Sequence, residues 1–174
     1  MKFLKYFLIG LTALIVLCLS AGIFLPTEMT LSRTIVVIAP QDKIFDLIND
    51  LEKAQLWSPW RSQDPDMKIT FGEKKAGLGA VYHWESETLE AGSMTITKSL
   101  PFSEIQAHLD FGEMGQAESG FYLKPDGKGG VAVTWDYRGK AESYFDRYFG
   151  LVIDALLGPD YEKGLSKLKA VAEE

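Results

Sequence analysis

The hydrophobic pattern of this chain changes character once, at Pro26. Before it, residues 6–25 (YFLIGLTALIVLCLSAGIFL) form an uninterrupted apolar run without a single charge, preceded by Lys2 and Lys5. At about 1.5 Å per residue a helix of that length covers roughly 30 Å, enough to cross the hydrocarbon core of a bilayer. After Pro26 the pattern breaks into short segments. Residues 30–38 (TLSRTIVVI) are rich in β-branched side chains and stop at Ala39-Pro40, as a strand does. Pro40 then opens a helix over PQDKIFDLINDLEKAQLW. There Ile44, Phe45, Leu47, Ile48 and Leu51 recur near helical spacing, and Asp42 sits in the first turn, where it suits the helix dipole. Six further runs, at 67–72, 80–86, 93–100, 104–111, 118–124 and 131–138, read as strands separated by Gly, Pro and Asp turns such as Pro125-Asp126-Gly127. Residues 144–172 read as a closing helix with a break at Gly158-Pro159, because proline disfavours helical geometry in the residue before it.

Alternation decides which side chains meet. In VAVTWDYR, Val131, Val133, Trp135 and Tyr137 share one face, while Thr134, Asp136 and Arg138 share the other. The same reasoning turns Ile105, Ala107, Leu109, Phe111, Phe121 and Leu123 inward and Glu104, Gln106, His108 and Asp110 outward. Short connections imply antiparallel neighbours, so the expectation is a one-sided antiparallel sheet of about seven strands. Its apolar face needs a cover, and the closing helix offers Phe145, Phe149, Val152, Ile153, Leu156 and Leu157. The fold class is α+β, preceded by the apolar N-terminal helix.

Composition adds limits. Of 174 residues, 18 are Lys or Arg and 24 are Asp or Glu, and Lys2 and Lys5 lie before Pro26, so the part after it is the more acidic. Nucleic acid is excluded as a partner, since phosphate binding needs a basic face. The domain organisation is an N-terminal membrane anchor or uncleaved signal at 1–26 and one domain at 27–174. A cleaved signal peptide is the competing reading of the apolar run, with small residues at Ser20-Ala21-Gly22, although the run exceeds the usual h-region and continues through Ile23-Phe24-Leu25. Lysines on the N-terminal flank favour a cytoplasmic N-terminus, which puts the domain on the periplasmic or outer face. The sole cysteine, Cys18, lies inside the apolar run, where Leu17 before it makes a poor lipoprotein site. The domain therefore has no disulfide and no cysteine metal site.

The order of these elements carries a resemblance. A strand, the Ile38-Ala39-Pro40 turn, a helix with Phe45 and Asn49-Asp50, and then Trp57-Ser58-Pro59-Trp60 resemble the SRPBCC superfamily of START-like and polyketide cyclase-like proteins. Gly77-Leu78-Gly79 before a strand containing Trp84, the Thr134-Trp135 strand, and Gly158-Pro159-Asp160-Tyr161-Glu162-Lys163-Gly164-Leu165 extend the likeness over residues 30–170 and point to a membrane-anchored bacterial branch. The resemblance implies a helix-grip fold, in which the sheet wraps the last helix and leaves an apolar cavity for lipids or other hydrophobic ligands.

If such a cavity exists, Trp84, Met94, Ile96, Phe121, Trp135 and Tyr137 on the sheet and Phe149 and Ile153 on the helix should surround it. The same residues are also what a filled core needs. Trp57 and Trp60 either form an aromatic lip at its mouth, with Arg61 ready for an anionic group, or close the junction between helix and sheet. Catalytic chemistry finds little support. His83 and His108 lack an obvious Cys or His partner, Asp64 and Asp66 flank Pro65 in what reads as a turn, and the glycine-rich stretches lack the following helix of a phosphate loop. No metal or cofactor is called for. A cyclase- or dehydratase-like enzyme would have only Tyr82, His83, Glu85, Tyr137 and Arg138 to work with. The leading expectation is a membrane-tethered, non-catalytic domain that binds a hydrophobic or amphipathic, lipid-like molecule. A closed-core scaffold supporting a membrane complex is the alternative.

Overall fold

The computed structural model describes residues 2–88 and 90–174, without the side chains of Lys2, Cys18 and Leu19, so the readings placed on Lys2 and Cys18 lie outside the described residues. Helix α1 (Lys2–Ala21) and one turn of 3-10 helix (Gly22–Phe24) form the apolar N-terminus. Residues 3–24 are long and apolar enough to cross a membrane, a property a signal sequence shares. Three residues later begins β1 (Glu28–Val37), followed by α2 (Gln41–Asn49), α3 (Leu51–Ala54) and α4 (Trp60–Gln63). Strands β2 (Lys68–Phe71), β3 (Val81–Glu85), β4 (Gly92–Leu100), β5 (Glu104–Asp110), β6 (Gln116–Pro125) and β7 (Val131–Lys140) come next, and α5 (Asp146–Phe149) and α6 (Ile153–Glu173) close the chain.

The strands form one seven-stranded sheet in the order β1-β7-β6-β5-β4-β3-β2, antiparallel throughout. β2 to β7 run as a meander, so only the step from β1 to β2 crosses the sheet, and it carries α2, α3 and α4 over the inward face. The register shift between Ile96 and Lys98 bends β4, which helps curl the sheet toward the helices. The expected single helix after Pro40 is interrupted at Asp50. That residue adopts extended backbone, its carboxylate accepts the N–H groups of Glu52 and Lys53, and it pairs with Ala76 across a single bridge. A cap in mid-helix is the physical cause of the break.

The closing helix departs from the sequence reading in two ways. Gly158-Pro159 lies inside α6 and does not break it. The interruption comes earlier, at Gly150–Val152, where Gly150 packs against Met29 so closely that a Cβ would lie 3.1 Å from Met29 Cγ. The turn directs Phe145, Phe149, Leu151, Val152 and Leu156 outward, at 45–68 % exposure, where four of them were expected to face the core. Of the six expected residues only Ile153 is buried and Leu157 half-buried, and the stripe of α6 that meets Ile44, Leu47, Ile48 and Leu51 of the crossover and Val37 and Val133 of the sheet is Tyr161, Leu165, Leu168 and Ala172.

Gly158 has a different task. At the edge strand, Arg33 points inward and its guanidinium bonds Asp154 and, at 2.8 Å, Glu162 on α6. A Cβ on Gly158 would lie 2.5 Å from Arg33 Nη2, so the glycine is the seat that lets the guanidinium lie against the helix between its two carboxylates. Arg33 holds Asp154 below the usual carboxylate range. Because that folded-state value is depressed, the contribution of the pair is present at neutral pH and fades as pH falls through the acid range. Gly158→Ala is expected to lower the thermal unfolding midpoint, although alanine ordinarily stabilises a helix interior by roughly 0.5–1 kcal/mol relative to glycine. The loss should shrink in an Arg33→Ala background. Equal losses in the two backgrounds, measured by calorimetry, would show that Pro159 alone requires the glycine.

Candidate functional site

The sheet is hollowed by its small residues. Register places the inward side chains in rows across the strands. The row nearest the packed end, Ile105, Phe121, Trp135, is large throughout. The next row runs Ile96, Ala107, Ser119, Tyr137 and Leu31, and the one after it Met94, Leu109, Ala117, Gly139 and Met29. At the centre of both rows the side chains are Ala, Ser or Gly, and no helix residue descends to fill the gap. The result is a cavity of about 470 Å³ between the sheet, α3, α4 and the first turns of α6.

Its wall toward the packed core is an aromatic assembly. Trp135 stacks between Tyr161 of α6 (3.8 Å between ring centroids) and Phe121 (5.0 Å), and Trp57 meets both Trp135 and Phe121 edge-on at 5.7 Å. Each ring nitrogen is committed, Trp57 donating to the Leu47 carbonyl at 2.8 Å and Trp135 to the Ser119 hydroxyl at 2.9 Å. Ser119 in turn donates to the Asp136 carbonyl at 2.9 Å. Gly164 allows the helix to approach, since a Cβ there would lie 2.8 Å from the Trp135 ring. The opposite wall is Tyr82, Trp84 and Phe111, in successive ring contacts at 5.7 and 5.8 Å. Trp84 lies across its cross-strand partner Gly92, where any side chain would collide with the ring.

Seven of the ten residues singled out from sequence line this space: Trp57, Trp60, Trp84, Met94, Phe121, Trp135 and Tyr137. Three do not. Ile96 is sealed in the core, Ile153 is buried outside the cavity, and Phe149 is on the surface of α5 because the chain turns at Gly150. The two loop tryptophans divide the roles expected of them: Trp57 is buried in the helix-to-sheet junction, and half-buried Trp60 stands at the mouth. Arg61 donates to the Met67 carbonyl at 2.5 Å. Sequence reasoning quoted Tyr161 only as part of the Gly158–Leu165 run and did not place it in the site, because its neighbours Asp160 and Glu162 make that turn of helix read as solvated. It also gave no weight to Ala107, Ala117 and Ser119, whose small size on inward positions was the available signal.

The interior is mainly apolar and, among the described residues, carries no charge. The ionisable side chains on its lining are Tyr82, Tyr137 and Tyr161, together with Glu90 exposed at the mouth. Burial pushes the Tyr82 phenol up to about 12, raises Tyr137, and drives Tyr161 higher still. All three are therefore neutral hydrogen-bonding groups at physiological pH. His83 is exposed, and His108 pairs through Nδ1 with Glu118 on the outer face at 2.8 Å. Among the described residues, no three His, Cys, Asp or Glu side chains come together to hold a metal.

No curated protein matches the sequence. Among solved structures the fold is similar to that of protein CV1439 from Chromobacterium violaceum, at 16 % identity and a TM-score of 0.59 over 86 % of this chain and 99 % of that one. Protein BH1534 from Bacillus halodurans is similar at 15 % identity and a TM-score of 0.62, over 85 % of this chain and 100 % of that one. The di-domain ARO/CYC StfQ of the steffimycin biosynthetic pathway is similar at 11 % identity and a TM-score of 0.61, over 84 % of this chain and 51 % of that one. At such identities these likenesses concern the fold, and they agree with the helix-grip arrangement of sheet and final helix. The sequence itself matches, over residues 28–173, the profile described as polyketide cyclase / dehydrase and lipid transport, and the chain belongs to that family, within the SRPBCC superfamily.

Proposed function

We propose that the chain is a membrane-tethered, non-catalytic binding domain that holds a hydrophobic or amphipathic, lipid-like molecule in the cavity between sheet and C-terminal helix. The observation that carries this reading is the cavity of about 470 Å³ whose lining is mainly apolar and aromatic. That volume falls within the roughly 300–1,000 Å³ of ordinary small-molecule sites, and a mainly apolar space of this size favours a ligand with an apolar body. Tyr82 and Tyr137 offer neutral hydroxyls to a carbonyl or hydroxyl group of such a ligand. With no charge inside, an ionic head would have to remain at the mouth, beside Trp60 and Glu90. The lipid-transport part of the family description supports the same reading. In this proposal α1 spans the membrane with its N-terminus in the cytoplasm, so the domain stands on the periplasmic or outer face. Confinement beside the bilayer would expose it to lipids at high effective concentration whatever its intrinsic affinity. A closed-core scaffold is disfavoured by the same cavity. A cyclase- or dehydratase-like activity gains support from the family description, but three high-pKa phenols supply no general base poised near neutral pH.

Ala107→Phe, at the centre of the hollow, should abolish the fluorescence enhancement of bound Nile red while costing less than about 1 kcal/mol of stability. In a filled core the same substitution would overpack and cost about 1–3 kcal/mol. Retained dye binding in a folded variant would refute the assignment of the cavity as the binding site.

The raised phenols give a second expectation. The unfolded chain loses tyrosine protons near pH 10, as ordinary phenols do, whereas the folded chain keeps the proton of Tyr82 up to about 12. The proton-linked stability is thus complete below pH of about 10 and lost as pH rises through the folded value. Denaturant titrations across this range should show a falling alkaline limb that is shallower in Tyr82→Phe. Identical limbs in the two proteins would mean that Tyr82 is solvated.

A further inference from the structure

The segment between β7 and α6 exposes more apolar surface than a soluble domain would be expected to leave open. Phe145, Phe149, Leu151, Val152 and Leu156 are 45–68 % exposed, and Phe24 beside them in the chain's N-terminal turn is 87 % exposed. Phe145, Phe149, Val152 and Leu156 recur every three or four residues, and although the helix is interrupted between Phe149 and Ile153 all four remain exposed.

Both charges within α5 are turned onto protein. The Asp146 carboxylate accepts the N–H groups of Glu142 and Ser143 at 3.1 and 2.7 Å. Arg147 donates to the carbonyls of Gly22 and Ile23 at 3.4 and 3.3 Å and lies over the Tyr144 ring. Those carbonyls belong to the end of the apolar N-terminal helix, whose final peptide groups need donors. Gly22 is buried under the Tyr144 and Tyr148 hydroxyls, which a Cβ there would displace. The apolar stripe is thereby fixed beside the point where α1 ends. Tyrosines, an arginine and outward phenylalanines at that level are the chemistry of a membrane–water interface.

The cavity mouth adjoins the same surface. Leu157, next to exposed Leu156, lines the cavity, and so does Met114, which is 60 % exposed. The turn that carries Met114 abuts the start of the segment, for a Cβ on Gly115 would lie 3.5 Å from the Glu142 carboxylate.

We propose that residues 144–156 form a second, interfacial membrane contact that lies in the headgroup region of the same bilayer and turns the Met114 and Leu157 side of the cavity mouth toward the lipid. The proposal rests on the reading of α1 as a membrane span. It assigns the occupant of the apolar surface as phospholipid, because the end of α1 is bonded directly into that surface and the charges of the segment are engaged by protein, Asp146 by backbone N–H groups, Arg147 by the carbonyls at the end of α1 and Asp154 by Arg33.

The test uses the full-length chain with Cys18→Ser, reconstituted in nanodiscs of phosphatidylcholine and phosphatidylglycerol. Nitroxide labels are placed singly at Ile15→Cys in α1, Phe149→Cys in the segment and Leu78→Cys on the exposed loop between β2 and β3. The label at 149 should be several-fold less accessible to an aqueous nickel complex, and several-fold more accessible to oxygen, than the label at 78. A label at 15 buried in lipid with labels at 149 and 78 equally aqueous would overturn the interfacial contact and leave the anchor intact. An aqueous label at 15 would overturn both the anchor and the contact. Phe145→Cys, labelled in the same way, should repeat the result at 149, and an aqueous label there with a lipid-buried label at 149 would reject the segment as a continuous contact.

Discussion

The stack of Trp135 between Phe121 and Tyr161 is the constraint around which this domain is arranged. It ties the central strands to α6 through ring faces rather than through aliphatic interdigitation, and it sits on the boundary between two halves of one interior. On one side, Leu165, Leu168 and Ala172 of α6 pack tightly against α2 and the sheet. On the other, the same helix is held away from the strands by the thickness of the rings, and the space beneath it stays open. Edge-on and stacked pairs of this kind contribute about 0.5–1.5 kcal/mol each beyond the area they bury. A partition made of rings fixed by hydrogen bonds to Ser119 and Leu47 is therefore stiff as well as apolar.

Stiffness matters because a void is costly unless its walls resist collapse. Here the walls are held from both sides. Gly92 and Gly164 remove the side chains that would push Trp84 and Trp135 out of place, while Arg33 clamps the first turns of α6 to the edge strand. The outer face of the sheet deals with polarity separately, in pairs such as Lys98–Glu104 and His108–Glu118, so that no charge intrudes on the hollow. Aromatic walls, absent charge and supported emptiness together define the kind of guest that would be at home inside.

Much of this architecture was legible from period alone. The two-residue alternation of β5, β6 and β7 placed Ile105, Phe121, Val133 and Trp135 on the inward face, and the turn residues around Asp126 marked the hairpin where its carboxylate accepts the Lys128 and Gly130 N–H groups. What could not be read was set by pairing between distant residues. Whether Trp135 lines a space or fills one depends on Ala107 and Ser119 in the neighbouring strands, and sequence does not show that register. Gly158-Pro159 looked like punctuation because the partner that explains it, Arg33, lies more than a hundred residues away. The stripe of Phe145, Phe149 and Val152 has the right spacing for a core and ends on the surface because Gly150 must fit against Met29. Periodicity reports that an apolar partner is required, and it is silent on whether that partner is protein.

The brevity of the passage from α1 to β1 has a mechanical consequence. Between the 3-10 turn that ends at Phe24 and the first residue of β1 there are three residues, which even fully extended reach only about 10 Å. With α1 in a bilayer, such a leash gives the domain almost no radius of travel, and the bonds of Arg147 to the helix end restrict its swivel as well. A carrier that ferries cargo across an aqueous gap needs slack in its tether. With α1 so anchored the chain would have almost none, and any guest would have to enter and leave where the domain stands.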